Sequence, residues 1–141
     1  MEPGIRASPD FRGVIGCDDR GVNPTVLIVD DHSGFRSWTR SLLETEGFPV
    51  IGEAADGKTA LATARALRPE LVVLDVMLGD TTGFLVAQEL ARLPSPPAVI
   101  LVSSREATDF GDAIGRSPAI GFISKPELSG PRLRALLGAS S

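Results

Sequence analysis

The sequence predicts an α/β fold, a doubly wound sandwich in which helices cover both faces of a five-stranded parallel sheet. Short apolar runs alternate with segments of helical period, and three of these runs are almost uninterrupted, as is typical of strands buried on both faces. The chain has 141 residues, of which 43% are hydrophobic, and this is the size of one ordinary domain. The predicted strands are residues 26–29, 50–51, 71–74, 98–102 and 119–123.

Five helices are predicted between and after these strands. Asp56 and Thr82 stand where each side chain can cap the helix that follows it. The fourth helix is predicted to be weak, because Gly111 and Gly115 each cost about 1 kcal/mol relative to Ala. The last is expected to have about two turns, with Pro131 in its first turn. The predicted helices are residues 33–46, 57–67, 83–93, 105–116 and 130–137.

Composition excludes several classes of protein. The net charge is −4, from 14 basic and 18 acidic residues without a run of one sign, so direct DNA binding is not expected. Cys17 is the only cysteine, which forbids an internal disulfide and favours a cytoplasmic protein. No apolar run approaches the roughly 20 residues of a membrane-spanning helix, so membrane insertion is not expected. Residues 1–24 are predicted to be a flexible extension, and residues 25–141 to be the folded domain.

Reactive side chains follow four of the five predicted strands. In a parallel sheet of the flavodoxin-like order 2-1-3-4-5, the carboxyl ends of the strands share one edge, and a crevice opens there between strands 1 and 3. We therefore expect these side chains to lie close together although they are distant in sequence. They are Asp30, Asp31, Asp75, Ser103 and Lys125.

This set of side chains has the chemistry of phosphoryl transfer to an aspartate. Three neighbouring carboxylates repel one another unless a cation intervenes, and Mg²⁺ is typically held by one or two carboxylates and a phosphate. Lys125 has the charge and reach to contact a phosphoryl oxygen, and Ser103 offers a hydroxyl. Four of these residues also have an ordinary structural reading, as a loop acid or helix cap for Asp30 and Asp31, a helix cap for Ser103 and a surface lysine for Lys125. Asp75 does not, because an acid within its apolar run is poorly placed for a solvated face. His32 is expected to be an exposed loop residue rather than a ligand, because Mg²⁺ favours oxygen.

Four ordered motifs resemble the receiver domain of bacterial two-component response regulators. The likeness extends over residues 25–137, nearly all of the predicted fold. It rests on residue types and on their spacing along the chain, including Gly83 eight positions after Asp75. The motifs are residues 26–32 (VLIVDDH), 71–76 (LVVLDV), 102–104 (VSS) and 121–126 (GFISKP).

The resemblance implies a role for each site residue. Asp75 would accept a phosphoryl group from the phosphohistidine of a sensor histidine kinase or phosphotransfer protein. Asp31 would bind Mg²⁺ directly and Asp30 mainly through water, and Asp75 and the backbone carbonyl of Met77 would complete the protein ligands. Ser103 and Lys125 would contact the phosphoryl oxygens. Phe122 would be the aromatic side chain that moves when the protein switches, and Pro126 would follow a cis peptide bond.

The sequence departs from the family pattern at several positions. Gly79 replaces a usual proline, which is expected to loosen the loop after Asp75, and Ser104 replaces a smaller residue. Phe122 lacks the hydroxyl of a tyrosine, and the short last helix weakens the case for a dimer built on it.

We predict a stand-alone receiver that passes its signal to a downstream protein and catalyses only its own phosphorylation and dephosphorylation. One alternative is a pseudo-receiver, an interaction module that works without phosphate. A phosphatase of the haloacid dehalogenase type is a further alternative, but it needs an acid where Met77 stands.

Overall fold

The structure, a computed structural model, describes residues 23–140. In this part of the chain one sheet of five strands, all parallel, has the order 2-1-3-4-5 when the strands are numbered along the chain. The predicted doubly wound α/β class and the order 2-1-3-4-5 are confirmed. Residues 1–22, which hold nearly all of the predicted flexible extension, lie outside the described residues. The strands are β1 (Val26–Val29), β2 (Val50–Ala54), β3 (Leu71–Asp75), β4 (Ala98–Ser103) and β5 (Gly121–Ser124).

The helices cover both faces of this sheet. The predicted caps are present: Asp56 accepts a hydrogen bond from the Thr59 N–H at 2.7 Å, and Thr82 accepts one from the Leu85 N–H at 3.4 Å. Short 3-10 turns lie at Ala107–Phe110 and Lys125–Glu127. The α-helices are α1 (Ser33–Thr45), α2 (Gly57–Leu67), α3 (Gly83–Ala91), α4 (Ala113–Arg116) and α5 (Gly130–Ser140).

The helix predicted over residues 105–116 is not continuous. A 3-10 turn is followed by Gly111 at a φ of +60°, and only the single turn of α4 comes after it. A left-handed residue of this kind interrupts the helical hydrogen bonds, and glycine adopts it without steric cost. The prediction of a weak helix was therefore right about its weakness and wrong about its continuity.

Three further helix bounds differ from those predicted, and the smallest difference is that α1 ends at Thr45, one residue early. Helix α5 continues to Ser140, so it has about three turns rather than two. Helix α3 ends at Ala91, two residues before the predicted end, because the Arg92 N–H bonds to the Glu89 carbonyl in a tightened last turn. None of these differences changes the edge of the sheet where the site lies.

The two central strands are buried on both faces. Leu27 and Val29 of β1 pack with the apolar faces of α2 and α3, and Val26 and Ile28 pack on the opposite face with residues of α1 and α5. All residues of β1 and β3 are buried. Acidic side chains at the ends of these strands are therefore held at the rim of the core. None of the helices within residues 23–140 has the length and apolar character needed to cross a membrane.

Candidate functional site

An acidic cluster lies at the carboxyl edge of the sheet, between β1 and β3. Asp30 follows β1 directly and Asp75 is the last residue of β3, and the two residues are 0% and 3% exposed. One potential ligand atom from each of Asp30, Asp31, His32 and Asp75 lies within 4.8 Å of all the others. The structure thus brings together the three aspartates that the sequence placed at this edge.

Lys125 connects the two buried carboxylates. Its Nζ lies 2.7 Å from Asp30 Oδ2 and 3.3 Å from Asp75 Oδ2. The contact with Asp30 is ionic, since no hydrogen bond of good geometry reaches the buried Oδ2 atom from the described residues. Burial lowers the pKa of Lys125, but its close contacts with the two aspartates and their negative charge outweigh it, and the net shift is upward. Lys125 is therefore a fixed positive charge between two acids.

Both oxygens of the Asp75 side chain are engaged. Oδ1 accepts a hydrogen bond from the Met77 N–H at 3.2 Å, and Oδ2 faces Lys125. Burial, followed by the negative charge of Asp30, raises the pKa of Asp75 to about 6, against the opposing effect of Lys125 and the Met77 N–H. The carboxylate is ionised at neutral pH, but it is a more basic nucleophile than an exposed aspartate.

Asp31 and His32 form the open side of the cluster. The Asp31 side chain is 37% exposed and the His32 side chain 74% exposed. His32 Nδ1 lies 3.0 Å from Asp31 Oδ1 and 3.3 Å from Asp30 Oδ1. His32 is exposed, as the sequence predicted, yet its ring stands beside the acids, which no pattern in the sequence indicated.

The loop after Asp75 is held at several points. Met77 pairs with Thr82 in an antiparallel bridge, and the Leu78 N–H bonds to the Thr81 carbonyl at 3.2 Å. The Asp80 carboxylate accepts hydrogen bonds from the first two N–H groups of α2, at 3.0 and 3.4 Å. These contacts fix both sides of Gly79, the residue expected to loosen the loop.

Gly83 allows α3 to approach the site. A Cβ atom at this position would overlap the carbonyl oxygen of Asp75 and lie 2.9 Å from the Cα of Val76. The Gly83 N–H also bonds to the Val76 carbonyl at 2.7 Å. The glycine eight residues after Asp75 is therefore needed because two stretches of backbone meet there.

Ser103 lies on β4, the strand next to the one that carries Asp75, and Phe122 lies on β5, one strand further away. Asp75 pairs with Val102, so Ser103 stands one residue further along the same edge, where its hydroxyl accepts a hydrogen bond from the Arg105 N–H at 3.1 Å. The half-buried Phe122 ring packs against Phe110, with 5.9 Å between ring centroids. Phe110 in turn packs edge-on against Phe84 of α3 at 5.7 Å, so three aromatic rings connect β5 with α3.

The peptide bond before Pro126 is trans, as are all those within the described residues, so the cis bond implied by the resemblance is wrong. The trans form of an X-Pro bond is intrinsically favoured by about 0.5–1 kcal/mol, and Pro126 is accommodated in the first turn of a 3-10 helix.

Arg36 was not indicated by any sequence motif. Its Nη1 donates to the Asp30 carbonyl oxygen at 2.6 Å and its Nε donates to Glu53 at 3.1 Å. It thereby ties the loop that carries the acids to β2. This contact depends on the sheet order, which brings β2 beside β1.

The sheet order and the acidic edge together define the class of receiver domains of two-component signalling. Residues 26–137 match the family model of the response regulator receiver domain, and the chain belongs to this family. The transcription regulator BvgA of Bordetella pertussis is 39% identical over 102 residues, which are 72% of this chain and 49% of BvgA. The response regulator GacA of Pseudomonas aeruginosa is 34% identical over 101 residues, 71% of this chain and 47% of GacA.

The receiver domain of the response regulator NarL from Mycobacterium tuberculosis has the same fold. It superposes with a TM-score of 0.69 at 29% identity, covering 84% of this chain and 99% of that domain. The chain spans about half the length of BvgA and GacA, and the similarity lies in the receiver domain.

Proposed function

We propose that Asp75 accepts a phosphoryl group from the phosphohistidine of a sensor histidine kinase or phosphotransfer protein. The protein would then act as a phosphorelay switch for a downstream protein. The observation that carries this proposal is the position of Lys125 Nζ, within 3.3 Å of both Asp30 Oδ2 and Asp75 Oδ2. A partly buried lysine between two buried acids is costly as a purely structural device, but it is well placed to receive an incoming anion.

The residues of the chain account for the transfer step. An oxygen of ionised Asp75 attacks the phosphorus, the N–P bond of the phosphohistidine breaks, and its electron pair returns to the imidazole nitrogen. Lys125 offsets the charge of the phosphoryl oxygens, and Ser103 supplies a hydroxyl donor. Water later attacks the same phosphorus, the O–P bond to Asp75 breaks, and phosphate leaves. The chemistry is confined to a residue of the protein itself.

The acidic cluster fits a Mg²⁺ ion. Its aspartates offer oxygen ligands within 4.8 Å of one another, the buried Asp30 Oδ2 accepts no hydrogen bond from the described residues, and Asp31 is open to solvent. Asp31 and Asp75 would bind the ion directly, Asp30 mainly through water, and Met77 through its backbone carbonyl. The bound ion would add positive charge beside the phosphoryl oxygens.

The phosphorylated state would be transmitted through the aromatic row of Phe84, Phe110 and Phe122. Phe110 lies in a 3-10 turn that ends at the left-handed Gly111, and α4 has a single turn. These elements have little stability of their own, so movement of the Ser103 hydroxyl towards phosphate can shift them. The surface that changes would bind a downstream protein in the cytoplasm, without direct contact with DNA.

The test is phosphorylation by a small phosphodonor in the presence of Mg²⁺, followed by mass spectrometry of the intact chain. We expect a mass increase of one phosphoryl group that is absent in Asp75→Asn and strongly reduced in Lys125→Gln. The matched controls are Asp112→Asn and Lys58→Gln, because both residues are exposed and lie outside the acidic cluster. A chain that is folded but gains no mass would be a phosphate-independent pseudo-receiver instead.

A further inference from the structure

The ring of the histidine beside the acidic cluster is held by the acids themselves. His32 is the N-cap residue of α1, but its side chain makes no capping hydrogen bond. The side chain is 74% exposed, so it contributes little to the core. The contacts of its ring nitrogen are with two carboxylates, those of Asp30 and Asp31, at 3.3 and 3.0 Å.

The backbone holds this ring close to the acids. The His32 N–H donates to Asp30 Oδ1 at 2.8 Å, which fixes the turn between β1 and α1. The Arg36 guanidinium fixes the same turn from the other side, through the Asp30 carbonyl oxygen at 2.6 Å. A ring nitrogen of His32 is therefore positioned with oxygens of Asp31 and Asp75 in a group of atoms within 4.8 Å of one another.

A site of this composition differs chemically from one that offers oxygen alone. Mg²⁺ selects oxygen ligands and keeps much of its water, whereas first-row transition dications also accept imidazole nitrogen. Nδ1 is the nitrogen that faces the carboxylates. It can bind an ion when the proton of the neutral ring is on Nε2.

We propose that His32 is a nitrogen ligand of the acidic site and gives it a preference for first-row transition dications over Mg²⁺. The inference rests on the metal site of the proposed function. It adds His32 to the ligands of that site and a preference among the ions that the site binds. Mn²⁺ is the probe, because it is a paramagnetic first-row transition dication that shares the preference of Mg²⁺ for oxygen, so that nitrogen ligation to it is a stringent test.

The experiment compares the full chain with His32→Phe and His32→Ser, with Mn²⁺ and Mg²⁺ titrated separately by calorimetry. His32→Phe keeps an aromatic ring without nitrogen, and His32→Ser introduces a preferred N-cap residue, so α1 is retained. We expect the Mn²⁺ affinity to fall about tenfold or more in both variants, and the Mg²⁺ affinity to stay within about twofold. Electron spin-echo spectra of the Mn²⁺-loaded chain should show coupling to a bound ¹⁴N nucleus that both variants lose.

The outcomes separate this inference from the proposed function. Unchanged Mn²⁺ affinity in His32→Phe, or the absence of ¹⁴N coupling in the unmodified chain, would overturn ligation by His32 and leave phosphoryl acceptance intact. Failure of the unmodified chain to bind either ion would overturn both. Asp31→Asn serves as the positive control, and we expect it to weaken binding of both ions.

Discussion

Replacing Asp75 with Asn should stabilise the fold, although it removes the proposed phosphoryl acceptor. The Asp75 side chain is 4% exposed, and burial and the charge of Asp30 raise its pKa from 3.8 to about 6. A shift of about two pKa units corresponds to about 3 kcal/mol of preference for the neutral side chain. Asn is neutral and of similar shape, so the unfolding free energy of Asp75→Asn should exceed that of the unmodified chain by up to about 3 kcal/mol near neutral pH.

The stability advantage of Asp75→Asn should depend on pH. Because the pKa of Asp75 is higher in the folded than in the unfolded chain, Asp75 binds its proton more tightly when folded. Its contribution to stability is greatest below the unfolded pKa of 3.8 and is lost as the pH rises through about 6. The advantage of Asp75→Asn should therefore fall from about 3 kcal/mol at about pH 7.5 to about 1 kcal/mol at about pH 4.5.

The assay is urea unfolding of the full chain at both pH values, with a chelator present to remove divalent ions. Asp112→Asn is the control at a side chain that is 80% exposed, and we expect a change within about 0.5 kcal/mol. Destabilisation by Asp75→Asn, or an increase in unfolding free energy that does not depend on pH, would refute the conclusion that Asp75 is a buried carboxylate with a raised pKa.

Three further substitutions test close contacts and buried polar groups elsewhere in the fold. Gly83→Ala should lower the unfolding free energy by about 1–3 kcal/mol, because the new Cβ would lie 2.9 Å from the Cα of Val76; an unchanged urea midpoint would contradict the close backbone contact. Thr39→Val should raise the thermal midpoint, because the Thr39 hydroxyl is buried and has no hydrogen-bond partner among the described residues; a lower midpoint would indicate an unrecognised partner. Asp80→Ala should cost about 1 kcal/mol by removing the acceptor for two N–H groups of α2, and hydrogen exchange should show faster opening of Gly57 and Lys58.

The part of the site that follows from sheet topology could be predicted from the sequence. The apolar runs of β1 and β3 are almost uninterrupted because both strands are buried on both faces. Parallel pairing then brings the residues at their carboxyl ends to one edge, so Asp30 and Asp75 meet although they are far apart in sequence. Lys125 reaches the same point from β5, two strands away from β3.

The part that depends on side-chain direction and local backbone could not be predicted. Only residues 50–51 of β2 were predicted as strand, because its continuation contains Gly52 and Glu53 and a polar residue at a sheet edge interrupts the apolar run. The pairing of Glu53 with Arg36 and Arg40 requires knowledge of the sheet order. The position of the His32 ring is likewise a consequence of the turn at Asp30.

The central claim is that Asp75, and no other acid of the cluster, receives the phosphoryl group. Treatment of the phosphorylated chain with borohydride converts an aspartyl phosphate to homoserine, and peptide sequencing by mass spectrometry then locates the modified residue. We expect homoserine at position 75 in the unmodified chain, and strongly reduced homoserine there in Lys125→Gln at matched phosphodonor exposure. Homoserine at Asp30 or Asp31, with position 75 intact, would contradict it.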